Sequence, residues 1–205
     1  MACFWAESKF KQIAECVETD FSLESLKALL LNQAVPWKDR RSAGDLIRLG
    51  IDFKILGNLH GGNGQDQWQE ALGKAERCRA YPELSLKALT ALYRGLKAQV
   101  GRIFRADDFR QLKDSLNTFA GRFLDTSSWA EEQLKIYQFA LKTLDELIEA
   151  SSKTDLSLVR PYPVWLQYLE QQIYVRRDSS CGIQVYPYRA SAGVYPEYHF
   201  IMNAS

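Results

Sequence analysis

From Leu84 to Ala106 the chain carries five bases, Lys87, Arg94, Lys97, Arg102 and Arg105, and no carboxylate. At about 100° per residue, Lys87, Arg94, Lys97 and Arg105 share one narrow helical face, with Arg102 at its edge. Leu89, Leu92, Leu96, Val100 and Ile103 fall on the opposite side. The pattern predicts a helix over Ser85 to Arg105 with one side in a core and an all-positive side outside it. Other elements must then cover its apolar stripe.

The rest of the chain supplies them. Phe10, Ile13, Ala14 and Val17 have helical spacing within Phe4 to Val17, and Ser22 can cap a second helix through Leu31. Asn32 to Asp39 breaks that helix, because Pro36 biases Val35 towards extended backbone, and Trp37 is read as a core plug beneath the bend. Ser42 is expected to cap a short helix, Asp45 to Leu49, that Gly50 ends. Further helices are expected over Gln67 to Arg79, Asp108 to Leu124 and Ser128 to Ala150, the last opened by a Ser128 and Glu131 capping box. Ser151 to Ser157 reads as a polar linker, and Pro163 as the opening of an amphipathic helix, Val164 to Ile173. No repeat period relates these helices.

The chain's end reads differently. Ile183 to Tyr188 is β-branched and aromatic, Arg189 to Gly193 is a small polar turn, and Tyr198 to Met202 is a short apolar run. Strand, turn and strand follow, and a lone two-stranded unit is marginal in water, so a larger sheet is expected to complete it. The expected fold class is mainly α: a helical domain over 1–157, then an amphipathic helix and a short C-terminal β-hairpin or partial sheet over 158–205.

Several functions are disfavoured. Cys3, Cys16, Cys78 and Cys181 lack the paired spacing of a zinc or redox site, and the N-terminus lacks a cationic start with an apolar run. No cofactor is expected, no window approaches the ~18 apolar residues of a membrane span, and a cytoplasmic setting is. His60-Gly61-Gly62 has no nucleophile elbow to serve, since Arg189 stands where the first Gly before Ser191 would be, and Gln65-Asp66 replaces the end of a phosphate-binding loop. His60 and His199 form no evident acid–base pair, and His199 reads as a core residue, so this chain alone is not expected to be an enzyme. Net charge is +1 from 26 basic and 25 acidic residues, so any anion-binding surface must come from local segregation of charge. The cationic face is such a segregation. It suits sequence-independent contact with DNA phosphates, or else it is solvated or paired with the acidic helix of Glu131, Glu132, Asp145, Glu146 and Glu149.

The terminal segment also carries a resemblance. A Trp/Leu/Tyr helix, a polar loop, Ile183-Gln184-Val185, Gly193-Val194 and Phe200-Ile201 resemble the start of the second motor domain of UvrD-like superfamily 1 helicases. Pro187, Arg189, Ala192 and Tyr195 stand where that family has Thr, His, Lys and Glu. The pattern is similar to the degenerate folds of AddB and RecC-type subunits of ATP-dependent exonucleases, and Phe21 to Trp37 resembles their helical insertions. That resemblance implies an internal piece of a DNA-repair subunit that handles DNA without chemistry, with the other subunits of a helicase–nuclease complex as partners. Lys87, Arg94, Lys97, Arg102, Arg105 and Arg189 are then the expected DNA contacts. An alternative is an interaction module whose C-terminal strands complete a partner's sheet.

Overall fold

The computed structural model describes residues 3–57, 66–78, 81–153 and 160–172, with the backbone alone for 3–9. Among the described residues the chain is helical: α1 Cys3–Glu18, α2 Leu23–Leu30, α3 Arg40–Asp52, α4 Gln67–Cys78, α5 Leu86–Phe104, α6 Phe109–Phe123, α7 Glu131–Ser152 and α8 Pro161–Gln171. Backbone contacts divide the chain into units of 1–174 and 175–205. The strand pair expected over 183–202, with Arg189 and His199, lies outside the described residues, as does the glycine-rich stretch at 58–65 with His60. No helix among the described residues is long and apolar enough to cross a membrane.

The cationic helix is the centre of the helical unit. α5 packs against α1, α3, α4, α6 and α8, and Leu89, Leu96, Val100 and Ile103 are buried as their spacing requires. Burying each such side chain stabilises the fold by roughly 1.5–3 kcal/mol. Gln99 is the polar exception on that side. It is 2% exposed, and its Nε2 donates to the Ser115 carbonyl of α6 at 2.9 Å, so burial leaves no unmet donor there.

Two breaks fix how the first helices return. After α1, Asp20 and Phe21 both take left-handed backbone angles, φ 44° and 59°, an unusual state for a bulky residue. Phe21 is thereby buried, and its carbonyl accepts the indole N–H of Trp68 at 2.7 Å. Ser22 caps α2 as expected, accepting from the Ser25 amide at 3.2 Å. At the second break Trp37 is buried and donates to the Leu29 carbonyl at 3.3 Å. An antiparallel bridge between Trp37 and Leu124 closes this bend onto the end of α6. Cys16 is fully buried and free, and burial pushes its thiol up to about 12 against an opposing Ser25 hydrogen bond.

Several helix ends differ from expectation for identifiable reasons. α3 starts earlier, because Asp39 accepts from the Ser42 amide at 2.9 Å and takes the cap that Ser42 was expected to supply. Gly50 lies inside α3, where its missing Cβ admits Trp68. Ser128 falls in a 3-10 turn, Thr126–Ser128, and α7 opens instead with Gln133 Oε1 accepting from the Ala130 amide at 3.3 Å. α8 begins at Pro161, a position whose amide would have no helical partner in any case. Tyr162 donates to the Phe10 carbonyl at 2.7 Å and Trp165 to Thr143 Oγ1 at 2.9 Å, which ties α8 to α1 and α7.

Candidate functional site

The expected cations do not form one equivalent row. Lys87, Arg94, Arg102 and Arg105 are exposed while Lys97 is only partly so. Lys97 Nζ stands 3.0 Å from Asp66 Oδ2 and 3.5 Å from Asp20 Oδ1, and lies 5.6 Å from the ring centroid of Phe21. Its charge is therefore largely committed within the protein. By contrast Lys87, Arg94 and Arg102 have no carboxylate within 4.0 Å among the described residues.

Asp66 organises this corner. It caps α4 by accepting from the Trp68 and Gln69 amides at 3.1 and 3.2 Å. It also accepts from the Gln69 side chain at 3.1 Å and from the Tyr93 hydroxyl at 2.9 Å. Burial opposes its ionisation, but the Lys97, Gln69 and Tyr93 hydrogen bonds outweigh burial and hold the carboxyl below its ordinary value. Trp68 stacks on Tyr93 with ring centroids 5.7 Å apart, which fixes α4 against α5.

Beside this corner lies an open cleft of about 350 Å³. Val17, Asp20 and Phe21 form one wall, Gln69 another, and Arg94, Lys97, Ala98, Gly101 and Arg105 of α5 the rest. Ala98 and Gly101 are small, so the helix is locally concave between Arg94 and Arg105. Arg105 is braced there: its Nε donates to the Gly101 carbonyl at 3.1 Å, and a Cβ at Gly101 would stand 3.1 Å from its Nη2. This arrangement can hold an anion with a guanidinium already in place.

The acidic helix does not neutralise this face. Glu131 pairs with Lys135 at 2.6 Å, Asp145 with Lys113 at 2.6 Å and Glu149 with Lys153 at 2.7 Å. Glu146 accepts from Tyr168 at 3.1 Å. A further cation, Arg122 of α6, was not anticipated. Its Nη2 lies 2.8 Å from where a Gly95 Cβ would stand, so Arg122 extends the positive surface sideways from α5. A glycine within an otherwise strong helix-forming segment was the available signal. Another cavity, about 50 Å³, is apolar and lined by Phe10, Trp37, Phe119, Trp129 and Tyr137 among others. Trp129 Nε1 is buried without a hydrogen-bond partner among the described residues.

Comparison with known proteins corrects the resemblance. The family described as Treponema TP0900 fourth helical domain matches residues 6–175. A Treponema pallidum (strain Nichols) protein, described as uncharacterized, is 26% identical over 220 aligned residues, covering 96% of this chain and 27% of that protein. The chain thus spans about a quarter of that relative's length. No solved structure matches. The AddB and RecC-type assignment, with its DNA-repair and helicase–nuclease terms, is overturned, since the matched family points elsewhere. The misleading residues, Ile183 to Ile201, lie beyond the matched range. Short apolar runs such as Ile-Gln-Val and Phe-Ile recur in the strands of many folds and carry no family signal.

Proposed function

We propose that this chain, which belongs to the Treponema TP0900 fourth helical domain family, is a non-catalytic module that contacts the phosphate backbone of DNA through the outer face of α5. The observation that carries this reading is the set of exposed α5 cations, Lys87, Arg94, Arg102 and Arg105, with no carboxylate within 4.0 Å among the described residues, of which Arg94 and Arg105 line a concave cleft. Such a face supplies affinity without reading sequence. The near-neutral total charge does not oppose it, because the acidic residues of α7 are engaged with their own neighbours. A cytoplasmic setting is compatible with the free thiols of Cys16 and Cys78.

The test is fluorescence anisotropy of the full chain with random-sequence duplexes. Four phosphate contacts imply a loss of roughly a hundredfold in affinity between about 50 and 200 mM salt. Arg94→Ala with Arg105→Ala should weaken all sequences alike and reduce the salt slope by about 2. Absence of binding at about 50 mM salt, or binding indifferent to both substitutions, overturns the reading.

A further inference from the structure

We infer that the recess between Arg94 and Arg105 seats a single terminal phosphate, the phosphomonoester at a nucleic-acid strand end; this rests on the reading of α5 as a backbone-binding face.

Three features of the recess lead there. First, it is built for one group. Arg94 and Gly101 are seven residues apart, so their Cα atoms are separated by about 10 Å along the axis, and Arg105 folds back over Gly101 through its Nε hydrogen bond. The two guanidinium groups thus flank one shallow seat floored by Ala98 and Gly101. Second, the charges match. Arg94 and Arg105 bring to the recess two guanidinium charges that no carboxylate among the described residues pairs, Lys97 being committed to Asp66 and Asp20. A phosphomonoester carries about −1.5 to −2 near neutrality, a backbone diester only about −1. Third, the recess ends on one side. Asp20, held in left-handed backbone, and the apolar Val17 and Phe21 form that wall. A strand running onward would meet the Asp20 carboxylate and the apolar Val17 and Phe21, whereas a strand that terminates short of them does not.

The donors are also fixed before any ligand arrives. Arg105 is held by the Gly101 carbonyl, and Gln69 by Asp66 Oδ2. Ordering them in advance lowers the entropy lost on binding.

The experiment compares short blunt duplexes ending in 5′-hydroxyl, 5′-phosphate or 3′-phosphate, by anisotropy with the full chain. A phosphate end is expected to bind roughly tenfold tighter than hydroxyl ends, the worth of one added charge-assisted hydrogen bond. Arg105→Gln should erase that advantage and Gly101→Ala, whose Cβ would stand 3.1 Å from Arg105 Nη2 and press it aside by a few tenths of an ångström, should reduce it, while Lys87→Ala should weaken all three duplexes equally. Inorganic phosphate should remove the advantage and leave residual backbone binding, which distinguishes a seat for the phosphate from a preference for the duplex end. Equal binding of hydroxyl and phosphate ends by the unaltered chain overturns the seat and leaves the backbone reading standing. Binding of no duplex at low salt overturns both. An advantage that survives both Gly101→Ala and Arg105→Gln removes Arg105 from the site and overturns the geometry argued here.

Discussion

Gly50 and Trp68 interlock across α3 and α4: a Cβ at residue 50 would stand 2.5 Å from Trp68 Cη2 and 2.8 Å from Leu23 Cδ1. The indole cannot yield, since it is fully buried, stacked on Tyr93 and hydrogen-bonded to Phe21. Gly50→Ala should therefore lower stability by about 1–3 kcal/mol, despite a helix-propensity gain of about 1 kcal/mol. Urea denaturation measures it, and an unchanged midpoint would refute the interlock.

Gly95→Ala should do the opposite, although it too lies inside a helix. The atom its Cβ would meet at 2.8 Å is the tip of Arg122, a flexible side chain that can move aside. Stability should hold or rise by up to about 1 kcal/mol, while duplex affinity falls slightly as Arg122 is displaced. A loss comparable to that of Gly50→Ala would show that Arg122 is not free to move.

Asp66→Ala removes the α4 cap and leaves Lys97 with only Asp20, so a loss of about 2 kcal/mol is expected at neutral pH. The sign of the pH dependence follows from the direction of its shift. The carboxyl is held below its ordinary value in the folded state. Its stabilising contribution is complete above the unfolded carboxylate range, near pH 4, and is lost as pH falls through the lower folded value. Urea midpoints measured from neutral pH downwards should fall less steeply in the acid limb for Asp66→Ala than for the unaltered chain. Parallel acid limbs would remove Asp66 from that account.

Trp129 and Trp165 should respond differently to the same change. Trp165 is fully buried and gives its N–H to Thr143 Oγ1, so Trp165→Phe should cost about 1–3 kcal/mol from the lost bond alone. Trp129 Nε1 has no hydrogen-bond partner among the described residues, and Trp129→Phe relieves an unmet donor while giving up some packing. Its change should stay within about 1 kcal/mol. Denaturation of both variants under one set of conditions decides it; equal losses would mean that the Trp129 N–H is satisfied in solution.

Much of the helical architecture was legible because it is written in near neighbours. The Ser22 cap and the buried stripe of α5 each follow from residues within a few positions of one another. What escaped depended on distant partners. Gly50 looks like a helix terminator until Trp68 is brought across it; the Ser42 cap is the local exception, displaced by Asp39 three residues earlier. Lys97 was grouped with its neighbours on the cationic face, yet its charge is answered by Asp66, 31 positions away, at the end of a glycine-rich stretch that gave no hint of a hub. Arg122 belongs to the same surface only because α6 crosses α5 at a glycine.

The hydrogen bond from Tyr162 to the Phe10 carbonyl joins positions 152 apart in the chain. During synthesis, then, α1 must wait: until α8 has emerged, the side of Phe10 that later meets Trp165, 4.7 Å away between ring centroids, has no permanent cover. Such late, long-range closure slows folding and leaves a greasy surface open to nascent-chain helpers in the interval. A gene truncated ahead of Pro161 would prolong that exposure indefinitely, yielding a product cleared by proteases instead of a smaller working unit.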